Sequence, residues 1–181
     1  MINYFKTKNF NTLIKQNLSS LFRFAYSRCK DRHLAEDLVQ DTCIKAYKAY
    51  VKEEKEIFKF KEWVFKILIN THISYLRKRK LETCSDNIFN ELENQECPIT
   101  LTNSLEIRED INFALNFLNE EQREIIYLVE VEGYSFKETA ELLGIPLGTV
   151  ASRLQRSRIK LRELLTNMGY GNKLIKTGTE R

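Results

Sequence analysis

The sequence predicts an all-α protein built as two small helical domains joined by a flexible acidic linker. Composition is the first ground for this. Only two prolines and six glycines occur in 181 residues, too few turn residues for a sheet-rich or loop-rich architecture. Charge segregation is the second. Residues 1–80 hold 18 Lys and Arg against 8 Asp and Glu, residues 81–107 hold 6 acids and no base, and residues 108–181 balance 11 against 11. Within the last segment the sign splits again, acidic over 109–141 and basic over 142–181. Length is the third: a chain of this size accommodates one ordinary domain or two of about 80 residues with modest cores. These patterns divide the chain into a helical unit at 10–80, a linker at 81–107, a second helical unit at 108–168 and a flexible tail at 169–181.

The first unit reads as three helices. The first spans roughly Leu13–Cys29. Asp31 offers an N-cap for a second that runs to about Tyr50. The charged connector VKEEKE follows, and a third helix covers about Lys59–Arg79. Residues 81–105 change character, with Pro98, several Asn, Ser and Thr, and weak periodicity, as a linker requires.

Several function classes are excluded. The cysteines, Cys29, Cys43, Cys84 and Cys97, form no CxxC pair, and the only histidines are His33 and His72. A zinc site or disulfide framework is therefore not expected; reduced thiols in a cytosolic protein fit better. No cofactor or metal site is expected, and His33 and His72 are assigned structural or surface roles. The N-terminus MINYFKTKNF lacks the apolar run of a signal peptide, and no stretch of about 18 apolar residues would span a membrane. There is no glycine-rich phosphate loop, no HExxH and no nucleophile–base pair, so an enzyme has little support.

The sharpest pattern lies in the second unit. EEQREIIYLVEVE (120–132) is an amphipathic helix that Gly133 can end in a left-handed conformation. Ser135 and Glu138 form a capping box that starts a short helix to Leu143, which Gly144 breaks. Ile145-Pro146 leads into a last helix, about Leu147–Leu165. Val150, Leu154, Ser157, Leu161 and Leu164 form its buried stripe. Thr149, Ser152, Arg153, Arg156 and Lys160 remain outside, with Gln155 and Arg158 beside them. A short helix, a glycine turn and a long helix with a basic outer face match the helix-turn-helix pattern, whose hydroxyls and arginines meet phosphates and base edges in a major groove. A helical hairpin with a solvated basic face fits the same residues.

In the first unit, the third helix carries an apolar stripe of Phe60, Val64, Ile67, Leu68, Thr71 and Tyr75. A different face carries Lys59, Trp63, Lys66, Asn70, Ser74 and Arg77, and RKRK (Arg77–Lys80) follows. Cations that track phosphates and an aromatic that stacks on an exposed base suit an unpaired nucleic-acid strand. The competing interpretation makes Trp63 a core residue. On the second helix Leu38, Val39, Thr42, Ala46 and Tyr50 can pack inward. Glu36, Asp37, Gln40, Asp41 and Lys48 remain outside, where the acids suit a basic protein partner better than DNA. A solvated helix with an Asp41–Lys45 pair explains them equally.

These motifs resemble those of the extracytoplasmic-function (group 4) sigma factors of the sigma-70 family. YSFKETAELLGIPLGTVASRLQRSRIKLRELL looks like their region 4.2, with Glu138, Ala140, Gly144, Pro146, Gly148, Thr149, Val150, Ser152, Arg153, Arg156 and Arg158 at matching places. LFRFAYSRCKDRHLAEDLVQDTCIKAYKAY is similar to regions 2.1–2.2. FKFKEWVFKILINTHISYLRKRK is similar to regions 2.3–2.4, keeping Trp63, Ile67 and Asn70 at the usual spacing. The resemblance implies a region 2 domain and a region 4 domain. It implies a chain that is no enzyme but gives promoter specificity to the RNA polymerase core. Thr149, Ser152, Arg153, Gln155, Arg156, Arg158 and Lys160 would read the −35 duplex, with Ser152, Gln155 and Arg156 foremost. Lys59, Lys61, Trp63, Lys66, Asn70 and Arg77 would hold the −10 nontemplate strand. Glu36, Asp37, Leu38, Gln40 and Asp41 would meet the β′ clamp helices, and the β flap is a further polymerase contact. It also implies an anti-sigma factor, often membrane-bound, acting on a cytoplasmic chain that is monomeric when free, in a stress or envelope response. Ala151 stands where the family is often basic, Gln155 where an aromatic can occur, and Cys43 where an aromatic or Leu is commoner. The rival is a self-sufficient helix-turn-helix regulator, which would need a dimer face.

Overall fold

The structure, a computed structural model, describes residues 2–53, 57–83 and 114–170, with side chains from Thr7. All secondary structure among them is helical, and the chain divides into two compact units, Met1–Cys97 and Pro98–Arg181. The predicted all-α, two-domain class holds. Of the linker expected at 81–107 only 81–83 are described, and they end the third helix; the rest lies outside the described residues, as does the tail beyond Tyr170.

The first unit contains α1 (Ile2–Cys29), α2 (Arg32–Lys52) and α3 (Phe60–Thr83). Its first helix starts well before the expected Leu13. The physical reason is tertiary. The buried stripe of Ile14, Leu21, Phe24 and Ala25 continues back one turn to Phe10, which is buried against Tyr47 and Tyr50 of α2 and Phe60 of α3. Lys30, at φ 55, turns the chain, and Asp31 Oδ1 then accepts from the Leu34 amide at 3.0 Å, the predicted N-cap. Contacts at both ends set the directions. Near its start α1 meets the end of α2 and the start of α3; near its end Arg28 meets His72. Thus α1 runs antiparallel to α2 and broadly parallel to α3.

Leu21, Phe24, Val64, Phe65 and Leu68 are the centre of this core, with the Phe24 and Phe65 rings 5.3 Å apart. α3 buries a wider arc than its predicted stripe. Phe65, Ile69 and His72 are buried beside it, while Ile67 and Tyr75 are only half-buried, because α3 packs on both α1 and α2. Two buried polar contacts are satisfied by hydrogen bonds, as low-dielectric surroundings favour. Thr42 Oγ1 donates to the Leu38 carbonyl at 2.7 Å, and Arg28 Nε donates to His72 Nδ1 at 2.8 Å.

The second unit contains a helical turn at 114–116, then α4 (Glu120–Ile126), α5 (Phe136–Leu143) and α6 (Leu147–Leu165). A capping box that sequence reading passed over starts α4: Asn119 Oδ1 accepts from the Gln122 amide at 2.9 Å and Gln122 Oε1 from the Asn119 amide at 3.1 Å. α4 continues through Tyr127–Val131 as a widened turn in which the Glu132 amide reaches the Tyr127 carbonyl, five residues back. Gly133, at φ 75, ends it as expected. α6 likewise continues as a widened turn over Thr166–Tyr170, kinked at Gly169, φ 92, the first residue of the expected tail. Leu118, Ile125, Ile126 and Leu154 form the core, with Leu115, Val129, Leu143, Ile145 and Leu161 packed around them.

Two stability predictions follow from these contacts. Burial first, and the Arg28 guanidinium second, lower the His72 pKa from 6.5 to about 4. The folded state therefore keeps His72 neutral at pH values where the unfolded chain protonates it. The associated stability is complete above about pH 6.5 and declines as pH falls toward 4, by up to about 1.4 kcal/mol per pH unit. Denaturant unfolding should show His72→Asn, which retains an acceptor near Nδ1, losing less stability than the parent between pH 7 and pH 5. Gly144, at φ 68, is left-handed. Gly144→Ala should lower the unfolding free energy of the second unit by about 1–2 kcal/mol in urea titration, because a Cβ disfavours that conformation.

Candidate nucleic-acid interface

The helix-turn-helix is assembled by local chemistry. Ser135 and Glu138 make the predicted capping box, the Glu138 amide donating to Ser135 Oγ at 3.2 Å and the Ser135 amide to Glu138 Oε2 at 3.0 Å. The Gly144 amide closes α5 on the Ala140 carbonyl at 2.8 Å, and Pro146 opens α6. Val150, Leu154 and Ser157 are buried, and Leu161 and Leu164 half-buried, so the predicted stripe faces inward. Leu165 joins it.

The opposite arc presents Ser152, Gln155, Arg156 and Lys160 to solvent, with Thr149 half-buried at its start. Arg156 Nε donates to the Ser152 carbonyl at 3.3 Å, which lays its guanidinium along that arc. Two of the expected cations are differently placed. At 100° per residue, Arg153 and Arg158 fall on opposite borders of the buried stripe. Arg153 pairs with Glu121 of α4 at 3.1 Å. Arg158 pairs with Glu130, which also accepts from its Nε at 2.8 Å. α4 thus engages both border arginines and leaves the centre of the arc to Ser152, Gln155 and Arg156.

In the first unit, Lys59, Asn70 and Arg77 are exposed along α3, and Lys61, Trp63 and Lys66 are half-buried. Lys59 lies 3.8 Å from Glu62. The Trp63 ring rests on Tyr50 and Phe60, with centroids 6.5 and 5.6 Å away. The indole is half-buried: it packs on the aromatic cluster, and part of it meets solvent. Beside it the sequence reading missed Phe58, which is 90% exposed immediately before Lys59. Its position at the end of a charged connector was the available signal.

On α2, Glu36, Asp37, Gln40 and Asp41 are exposed. Glu36 pairs with Arg32 at 3.0 Å. Lys45 donates to Thr71 Oγ1 at 3.2 Å rather than to Asp41, the pairing suggested by their spacing. Leu38 must be corrected. It was placed with the partner-facing residues, but it is 3% exposed and packs inward, where it also accepts the Thr42 hydroxyl. Ile44 and Tyr47, exposed on the same helix, extend the accessible surface. Among the described residues, no cluster of three or more His, Cys, Asp and Glu could hold a metal, and no helix is long and apolar enough to cross a membrane.

Comparison with known proteins accords with this layout. Family models match at residues 13–82 for Sigma-70 region 2 and at residues 108–161 for Sigma-70, region 4. The chain is 32% identical over 148 residues to the ECF RNA polymerase sigma factor SigM of Bacillus subtilis, covering 81% of this chain and 89% of that one. It is 28% identical over 160 residues to ECF sigma factor SigE of Mycolicibacterium smegmatis, covering 87% of this chain but only 62% of that longer relative. Among solved structures it is similar to the sigma factor RpoE of Bartonella quintana, crystallised with the anti-sigma factor NepR. The TM-score is 0.71 at 35% identity, covering 88% of this chain and 98% of that one. The protein is a sigma-70-type transcription factor. Within that class the chain belongs to the extracytoplasmic-function sigma factors.

The ion pairs of α6 yield a prediction about duplex binding. Glu130→Ala should free Arg158 for a phosphate and steepen the dependence of log affinity on log salt by about 0.9. Fluorescence anisotropy on duplex DNA across a salt series checks this.

Proposed function

We propose that this chain binds the RNA polymerase core and directs it to a specific set of promoters, under the control of an anti-sigma factor in a stress or envelope response. The observation that carries the reading is the presence on one chain, in order, of a region 2 unit and a region 4 unit, each exposing a cationic face. In the second unit, Ser152, Gln155 and Arg156 would enter the major groove of the −35 element. Thr149 and Lys160 would hold phosphates, joined by Arg153 and Arg158 where DNA displaces their acidic partners. Arginine in such a position favours guanine, whose two acceptors lie side by side.

In the first unit, Lys59, Lys61, Lys66 and Arg77 follow the backbone of the unpaired −10 nontemplate strand, and Asn70 offers an amide to a base edge. The exposed portion of Trp63 stacks on a base, a contact worth about 1–3 kcal/mol. Glu36, Asp37, Gln40 and Asp41 face the β′ clamp helices, and the second unit meets the β flap. The division is 10–80 for the first unit, 81–107 for the linker and 108–168 for the second, with a short tail. The chain supplies specificity and performs no catalysis of its own, works in the cytoplasm and is monomeric when free. An anti-sigma partner, membrane-bound in one form of such control, would cover one or both faces. The RpoE relative was crystallised with such a factor.

Run-off transcription with bacterial core polymerase and promoter fragments, including the region upstream of this chain's own gene, tests the reading. Transcripts should start at defined sites only when the chain is present. Arg156→Ala should lower −35 duplex affinity by about 5- to 150-fold, the equivalent of 1–3 kcal/mol, and abolish the transcript. Tight dimeric binding to a palindromic duplex without any binding to core would favour a stand-alone regulator instead.

A further inference from the structure

Phe10 lies outside the region 2 match, which begins at residue 13, yet it is 4% exposed. Its ring centroid is 5.3 Å from Tyr50 and 5.8 Å from Phe60, and Tyr47 closes a third side at 5.4 Å. Tyr50 and Phe60 are the same two rings that support Trp63 from its buried side. Two hydrogen bonds tie the N-terminal turns of α1 to this cluster: Asn9 Nδ2 donates to the Tyr50 hydroxyl at 3.1 Å, and the Thr7 and Tyr47 hydroxyls meet at 3.3 Å. Phe10 and Trp63 therefore pack against the same two rings, Tyr50 and Phe60.

We infer that Phe10 is a positioning residue for strand capture, acting on Trp63 through Tyr50 and Phe60. This rests on the proposal that Trp63 stacks on a −10 base. A stacking platform must be held before the strand arrives, because an indole free to change rotamer loses part of its contact energy in being ordered. Edge and tilted ring contacts supply that restraint. Of the two shared rings one comes from α2 and one from α3, and the N-terminal turns of α1 brace both of them through Phe10.

The test uses the full chain with core polymerase and a pre-melted fragment of a promoter active in the run-off assay. Strand affinity is measured for the parent, Phe10→Leu, Trp63→Ala and the double variant. Trp63→Ala should weaken binding about tenfold and Phe10→Leu about threefold, and the double variant should match Trp63→Ala, because the first change has nothing further to remove. Phe10→Tyr, which keeps the ring, should bind like the parent.

The chain contains one tryptophan, so acrylamide quenching of the full chain alone reports directly on Trp63. Phe10→Leu should raise the quenching constant with helical circular dichroism and core affinity unchanged. Parent-like strand binding or quenching by Phe10→Leu overturns the inference. So does an equal loss in both backgrounds, or a parallel loss of core affinity, each of which would mark Phe10 as general structural support. Parent-like binding by Trp63→Ala instead overturns the stacking proposal itself, and the two failures are thereby told apart.

Discussion

Each unit is a few helices around a small core, and each helix can turn only part of its surface toward that core. Domains of this size bury a smaller share of their surface than larger ones do. On α6 that limit is visible at Ser157. The residue is fully buried, and its hydroxyl is satisfied by donating to the Arg153 carbonyl at 2.7 Å. With Val150 and Leu154 it anchors the inward face, so the outward arc of Ser152, Gln155 and Arg156 follows from helix geometry alone. The same constraint turns Leu38 inward on α2 and leaves its acids outside.

Electrostatics then refines what packing has placed. The first unit carries the positive charge of the chain, yet α2 shows an acidic face. A polyanion and a basic protein can therefore be held by different sides of one small domain. In the second unit the acids of α4 hold the two arginines that border the buried stripe. Exposed ion pairs of this kind contribute little to stability, with typical values of about 0–1 kcal/mol. Their larger effect is on which cations are engaged: Arg153 and Arg158 are held by acids of α4, whereas Arg156 bonds to the Ser152 carbonyl of its own helix.

The first unit is pinned at both ends of α1 by different chemistry. At one end aromatic rings from three helices interlock around Phe10. At the other, Arg28 is held by an imidazole that must stay neutral, since a protonated Nδ1 would point a donor at a donor. Phe10 meets rings at least 37 positions away, and Arg28 meets His72 44 positions away.

Much of this was legible in the sequence. Helix limits written by local chemistry came out where expected: Asp31 and Ser135 as N-caps, Gly133 as a left-handed end, Gly144 as the break after α5, and the stripe of α6. Each depends on neighbours three or four residues away, so one segment contains the whole reason. The family resemblance was carried by such segments too. Only the tertiary structure decided the start of α1, the extra buried arc of α3, the half-burial of Trp63 and the pairing of Arg153 and Arg158 with α4. Every one of these depends on a partner distant in sequence. Periodicity indicates that a helix has an inside and an outside; where the border falls, and which charges are engaged along it, is set by the elements that pack against it.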